Sequence, residues 1–448
     1  MPLSLAIILK IVVCYTVLTS ITLIEGLVMK KTVILLSQSY LQFASEAVLL
    51  NLSQQIRLVL VITHNEEVYP FLSTKLAKVY HVNGNTTESL RPELNFDQVS
   101  EIVKQEIALV DSSKDIAIYC QQEDNVLTAA KLRLAFDIDG EQTDIVLKFR
   151  DKLIMKQCIS AVLPNAIPKH KKLDIELLNN NLRDYYHELK EFLGEKMIVK
   201  PTTGAGSFNI KIINSEVDLQ DVKEMISTDE HTFSYEIDEF ISGKMYQCDS
   251  FIRNGKVVFC GILELGCSNF DFVMGKPLSV YPVTSIEQYQ RLFEFNQTLI
   301  TELGLKNGST HHELFIKDNS QDIVFLEIAA RVPGGIGVPF HTKNSNINLI
   351  DATLLQAAES DELNKISPNM KNNVVSALLP VGHGTVIALN EPQLMSHWHI
   401  DWHVKVGDVV NSRSLIDTAG ILMFTNDNRE QLRSDFEKLQ DWVPVTCI

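Results

Sequence analysis

The chain has 448 residues, enough for about three domains, and its 45% apolar and 21% charged content is that of an ordinary folded globular protein. Lys and Arg number 40 against 56 Asp and Glu, a net charge of −16. That disfavours a protein that tracks a nucleic-acid backbone, which needs a basic surplus; any anion must be held by a few basic residues converging in one cleft. The seven Cys form no C-x-x-C pair, so they offer neither a disulfide framework nor a zinc site and fit a reducing compartment.

Residues Leu3 to Val28 are apolar apart from Lys10 and Glu25, a run long enough to cross a bilayer. As a secretory signal the run is poor: no basic residue precedes Lys10, and no Ala lies between Ala6 and Ala44 to build a cleavage site. If it spans, Lys30 and Lys31 behind it favour the cytosolic side. Met29 equally reads as a translation start that runs straight into a first strand. Three readings stay open: a dispensable leader, a membrane anchor, and a signal peptide. The body is expected to be cytoplasmic, or anchored with its bulk facing the cytosol.

Val33-Ile-Leu-Leu, Leu58-Val-Leu-Val-Ile and Asp115-Ile-Ala-Ile-Tyr read as buried strands, with helical stretches at Glu46–Leu52 and Phe96–Val110. This βαβ alternation implies a parallel sheet. Asp124 to Lys156 is helical and charged. Lys196–Lys200 and Phe208–Ile213 are strand-like, joined by Pro201-Thr-Thr-Gly-Ala-Gly-Ser207. Strands follow at Met245–Arg253 and Lys256–Leu265, split by the hairpin signal Asn254-Gly255. Ser285-Ile-Glu-Gln288 opens a helix with a capping-box pattern, and Gly304 ends it. A Pro- and Asn-bearing break at Ile366–Asn373 precedes a strand-rich segment to Ile448.

Three constellations carry chemistry. Glu313–Lys317 and Ile323–Ile328 read as strands of a hairpin. Pairing Lys317 with Ile323 sets Glu313 directly opposite Glu327, about 5 Å apart on one face, where like charges repel. A cation relieves that repulsion, and carboxylates with open positions suit Mg²⁺ beside substrate phosphates. By the same reasoning, a neutral residue at Glu327 stabilises the metal-free protein. A one-residue slip would place the two Glu on opposite faces, and two solvated Glu at strand ends are the plainer alternative.

The second is Lys200-Pro-Thr-Thr-Gly-Ala-Gly-Ser207, whose small residues leave backbone N–H groups free to approach phosphate while Lys200 adds charge. It is neither a Walker A loop nor a dinucleotide fingerprint, and alone it reads equally as a turn. The third is Arg331-Val-Pro-Gly-Gly335, four residues after Glu327. Its planar guanidinium suits carboxylate or phosphate, and its glycines permit close backbone approach. His311 shares the strand face of Glu313.

In order, these pieces resemble the ATP-grasp superfamily, and within it carboxylate–amine ligases of the L-amino-acid ligase and carnosine-synthase type. Arg150-Asp-Lys-Leu-Ile-Met-Lys156 resembles the first nucleotide lysine motif, which implies Lys152 on the ATP phosphates. Ile198 to Ser207 resembles the second lysine strand and its phosphate loop, implying Lys200, Gly204, Ala205, Gly206 and Ser207. Ile237-Asp-Glu-Phe-Ile-Ser-Gly243 looks like the adenine hinge, with Asp238 and Glu239 on the exocyclic amine, Phe240 beside them and the Ile241 backbone on the ring. His311-His-Glu313 and Phe325 to Gly335 look like the metal and substrate motifs, implying Glu313 and Glu327 as metal ligands and Arg331 and His311 as catalytic.

The implied fold class is α/β and α+β: an ATP-grasp fold with an N-terminal Rossmann-like (pre-ATP-grasp) domain, a lid subdomain and a C-terminal strand-rich segment. The expected boundaries are a leader at 1–28, a pre-ATP-grasp domain at 29–125, an ATP-grasp domain at 126–365 with its lid at about 185–240, and a C-terminal subdomain at 366–448. Two positions depart from the family pattern. Met245 stands where a ribose-binding Glu is common, and Ala329 where the second metal motif often carries Asn. The implied reaction activates a carboxylate as an acyl phosphate with ATP and Mg²⁺ (or Mn²⁺) and couples it to an amine, most simply an amino acid. The alternatives are a bicarbonate-using carboxylase of the biotin-carboxylase kind and a non-catalytic nucleotide-binding protein. The expected partners are a small-molecule carboxylate and amine, no nucleic acid, a membrane only if residues 1–28 anchor the chain, and a homodimer as an open option.

Overall fold

The computed structural model describes residues 31–86, 92–204, 206, 208–228, 234–412 and 417–448. The apolar leader, Ala205 and Ser207 lie outside the described residues. Among those described, no helix is long and apolar enough to cross a membrane.

Four parallel strands open the chain: β1 (Thr32–Leu36), β2 (Arg57–Thr63), β3 (Lys78–Val82) and β4 (Ile116–Tyr119), in the order β3-β2-β1-β4. Alternate residues feed two cores. Val33, Leu35, Leu58 and Leu60 pack with Leu49 and Leu52 of helix α1 (Glu46–Gln55). Ile34, Leu36, Val59 and Val61 pack with Val99 and Val103 of α2 (Phe96–Ile107) and Ala129 of α3 (Val126–Phe136). Burial on both faces is why β1 and β2 read as unbroken apolar runs. The edge strand β3 is half exposed and polar, which hid it from the pattern.

Helix α4 (Lys152–Ser160), capped by Asp151, leads to a second sheet. It comprises β5 (His170–Lys172), β6 (Met197–Pro201), β7 (Lys211–Ile213) and β8 (Tyr235–Glu239), in the order β5-β8-β6-β7. Its edge strand β5 precedes the expected lid boundary, and β7 is shorter than the strand expected from Phe208. Helices α5 (Leu182–Leu193) and α6 (Glu216–Thr228) cover one face, burying Met197, Val199, Tyr235 and Ile237. The period of two then turns Ile198, Lys200, Glu236 and Asp238 to the opposite face.

The largest sheet is antiparallel throughout. In chain order its strands are β9 (Gly243–Arg253), β10 (Lys256–Leu265), β11 (Leu278–Pro282), β12 (Gly308–Lys317), β13 (Ile323–Ala329), β14 (Val374–Pro380), β15 (His397–Trp402) and β16 (Thr418–Thr425). They lie side by side as β13-β12-β9-β10-β11-β14-β16-β15. After residue 366, β14 pairs directly with β11 and extends this sheet, while His383–Leu389, Val409–Asn411 and Val445–Cys447 form a separate three-stranded sheet. Asn254 and Gly255 turn the β9–β10 hairpin with φ of 53° and 75°, the left-handed conformations that this turn requires. Between β11 and β12 runs α7 (Ile286–Leu303), whose Ser285 cap accepts a hydrogen bond from the Gln288 N–H and whose Gly304 stop has φ 86°.

The β12–β13 hairpin corrects the expected register and keeps its consequence. The turn closes one residue earlier than expected, with Ile316 opposite Ile323 and Lys317 N donating to Asp322 O at 3.0 Å. A bulge then accommodates Leu326, and Glu313 stands opposite Glu327 after all. One inserted residue on one strand restores the face that a slip would have lost.

Candidate active site

A cavity of about 1040 Å³ has the cavity-facing side of the β5–β8 sheet on one side and the large sheet on the other. Every predicted site residue among the described ones lines it: Lys152, Lys200, Gly204, Gly206, Asp238, Glu239, Phe240, Ile241, His311, Glu313, Glu327 and Arg331.

The phosphate-loop end is held by lysines. The Lys152 backbone N–H bonds Thr202 O at 2.9 Å, while its ammonium donates to Gly204 O at 2.8 Å and pairs with Glu327 at 3.0 Å. Lys200 pairs with Asp238 at 2.9 Å and with Glu236 at 3.4 Å. The sequence reading passed over Lys156, which is wholly buried. It donates to both Asp238 oxygens, at 2.7 and 2.6 Å, and lies 3.0 Å from Glu236. Burial and repulsion from Lys200 lower its pKa. For Lys200, burial acts in the same direction, but Asp238 and Glu236 outweigh it and raise the pKa.

Asp238 and Glu239, expected on the exocyclic amine, both line the cavity and both have partners in the protein. The Asp238 carboxylate is committed to two lysines, and the Glu239 carboxylate accepts the Lys169 N–H at 2.9 Å. Phe240, also at the hinge, has its ring under the Lys196 ammonium at 3.7 Å.

At the two opposed glutamates, Glu313 is buried and accepts from Asn269 Nδ2 at 3.0 Å, with His311 Nε2 at 3.5 Å. Burial opposes ionisation of Glu327, but Lys152 and Lys200 outweigh it and lower its pKa. Among the described residues, no group of three or more His, Cys, Asp or Glu converges as a metal cage. Two opposed carboxylates still fit a hard divalent cation whose other positions are filled by phosphate oxygens and water.

His311 is one arm of a network that no sequence pattern signalled. Asp249, fully buried, accepts from His311 Nδ1 at 2.8 Å, His341 Nε2 at 2.6 Å and Gln247 Nε2 at 2.6 Å. Burial disfavours a charged His311, yet the bonds to Asp249 and Glu313 prevail and raise its pKa to about 9. Helix α8 (Gly337–Ser345) carries His341, which is seated where a Cβ on Gly261 would be 2.1 Å from its ring. Neighbouring His312 is the opposite case. Burial between Phe295 and Phe325 and the charge on His311 push its pKa down to about 3.

Arg331 is ion-paired through Nε to Glu123, and its Nη1 donates to Val332 O at 2.9 Å. Glu123 also binds Arg150 at 2.8 Å; burial would raise its pKa, but the two arginines hold it near 2. Sequence reasoning missed Glu123, although one signal was available. It follows β4 at the C-terminal end of a parallel strand, where open α/β sheets place their ligands.

Residues 193–339 match the ATP-grasp domain. Over 324 residues the chain is 24% identical to an L-arginine-specific L-amino acid ligase from Bacillus subtilis, covering 69% of this chain and 75% of that protein. The L-amino acid ligase of Bacillus licheniformis shares the fold with a TM-score of 0.67 at 15% identity, over 93% of this chain and 99% of its own. N5-carboxyaminoimidazole synthetase from Staphylococcus aureus shares it at 0.60 and 15%, over 92% and 98%. Biotin carboxylase from Campylobacter jejuni shares it at 0.56 and 15%, over 93% and 92%. The matched domain and the shared fold converge on this one lined cavity: residues 193–339 match an ATP-grasp domain, and over 93% of its length the chain has the fold of the Bacillus licheniformis L-amino acid ligase.

Proposed function

We propose that this enzyme activates the carboxylate of one amino acid with ATP and joins it to the amine of another. The observation that carries the reading is Glu313 opposite Glu327, with Lys152 and Lys200 beside them and Arg331 in the same cavity. A carboxylate is a poor electrophile until one oxygen carries a phosphoryl group, as a mixed anhydride with phosphate as its leaving group. Its oxygen attacks the γ-phosphorus, the bond to the ADP oxygen breaks, and an acyl phosphate forms. The amine then attacks the acyl carbon, phosphate leaves, and the amine gives up a proton.

Such a reaction asks for positioning and charge neutralisation rather than a protein nucleophile. Lys152 and Lys200 set positive charge at the glycine loop, and Arg331, with Nε on Glu123 and Nη1 on Val332 O, has its Nη2 group left for carboxylate and phosphoryl oxygens. His311, kept charged by Asp249 and Glu313, adds positive charge beside the metal row. Glu313 and Glu327 would hold Mg²⁺, which supplies neutralisation of phosphate charge when bound.

The test is an ADP-release screen over pairs of free amino acids, with mass spectrometry of the product. A dipeptide supports the reading. ADP release that depends on bicarbonate and biotin instead would move the enzyme to the carboxylase branch, and no release with either would leave a nucleotide-binding protein.

A further inference from the structure

One face of the large sheet floors the whole cavity, and the register divides it in two. Residues directly opposite in antiparallel ladders share a face. Glu327, Glu313, Gln247 and Leu263 therefore lie in one row across β13, β12, β9 and β10. Two residues further along β10, Leu265 stands opposite Val280, and Leu278 stands opposite Leu378, which stands opposite Ile421. The floor over β12 and β13 thus carries the two glutamates and His311, with Phe315, Phe325 and Leu326 also lining it. Over β10, β11, β14 and β16 the cavity-lining positions are Leu263, Leu265, Leu278, Val280, Leu378 and Ile421, all aliphatic, and Thr418 at the start of β16.

The nucleotide does not account for this aliphatic half. Its hinge, Glu239–Ile241, runs into β9 where Gly243 pairs with Lys317 of β12, so the base belongs to the β9–β12 side. The turn that follows Arg331 lies over the aliphatic half instead: a Cβ on Gly335 would sit 3.3 Å from Leu378 Cδ1, and Ile336 lines the wall beyond it. Asp271, an acidic lining residue, takes the Ser268 N–H at 3.2 Å and hydroxyl at 2.8 Å on the same oxygen, Oδ2. Exposed His403 bonds Thr418 at 3.1 Å.

We propose that the amino acid whose carboxylate is activated carries an apolar side chain, seated on Leu265, Leu278, Leu378 and Ile421 beside the Gly334–Gly335 turn. The inference rests on the ligase reading and adds the substrate class to it. An aliphatic floor pairs with apolar surface and leaves a charged side chain desolvated without a partner. The preference would favour apolar over basic side chains, although the Bacillus subtilis relative carries arginine specificity in its name.

The experiment measures kcat/KM by ADP release for Leu, Met, Val, Phe, Gly, Arg, Lys and Glu as carboxylate donors, with Gly or Ala as amine. Tandem mass spectrometry reads which residue is N-terminal in the product, since that residue donated the carboxyl. Apolar donors should exceed Gly, Arg and Glu by ~10²-fold or more, on the scale of a few methylenes in a hydrophobic pocket. A second measurement uses Leu378→Glu, with ADP affinity by calorimetry as the check that the site is intact. The ratio of kcat/KM for Arg to that for Leu should rise at least ~10-fold, whereas a merely structural lesion lowers both donors alike. Preferential use of Arg, Lys or Glu by the unaltered enzyme overturns the apolar assignment and leaves the ligase reading standing. ADP release with none of the amino acids overturns both.

Discussion

Replacing Lys156 with Met tests the buried quartet that positions Lys200. Lys156 and Glu236 are fully buried, and Asp238 and Lys200 are 2% and 4% exposed. Two carboxylates and two ammonium groups cancel, so the unaltered cluster is neutral. Met fills nearly the same volume but leaves one negative charge uncompensated. Removing one partner of a buried ion pair costs about 3–5 kcal/mol, because the other charge stays desolvated. Hydrogen exchange at the amides of β6 and β8, which carry the cluster, reads that loss locally. A carboxylate of the variant should relieve it by taking up a proton, which raises that group's folded pKa above its unfolded value. The relief is then fully present below the unfolded pKa and is lost as pH rises through the folded one, so the deficit should shrink in acid. Adding Glu236→Gln restores neutrality and should recover more than half the loss. A Lys156→Met protein within about 0.5 kcal/mol of the unaltered one, the range of an ordinary surface change, refutes the reasoning. So does a double variant whose two losses simply add.

Arg331→Lys should keep ADP affinity within about 3-fold but lower turnover by ~10²-fold, as when one preorganised donor is lost; calorimetry and single-turnover kinetics separate the two, and retained turnover removes Arg331 from the reaction. Glu327→Gln should abolish the Mg²⁺ dependence of turnover. It should also lower the stability of the metal-free protein, reversing the expectation from charge repulsion alone, because Lys152 at 3.0 Å loses its partner; a higher melting temperature contradicts this. NMR titration should find His311 changing near pH 9 and His312 only near pH 3. With its folded pKa raised, His311 contributes stability that is full below about pH 6.5 and lost as pH rises through 9, whereas His312 costs stability as pH falls from 6.5 toward 3. Two ordinary transitions near 6.5 would contradict the Asp249 network.

The sequence by itself determined the parts whose signals are local. Apolar runs named β1, β2 and β4, Asn254-Gly255 named a hairpin, and Ser285 and Gly304 bounded α7, because turn and cap chemistry acts within a few residues. The pairing of Glu313 with Glu327 was legible for the same reason, since a short hairpin nearly fixes its own register. Even there the tertiary structure supplied the bulge at Leu326, which local pattern does not encode. Only the folded chain brought Glu123 to Arg331 across 208 positions and His341 to Asp249 across 92. It alone showed Lys156 buried among carboxylates and set Leu278, Leu378 and Ile421 in one row. These contacts join elements distant in sequence. Each residue is unremarkable in its own neighbourhood, and its chemistry is set by burial and by partners that only the packing of the sheets provides.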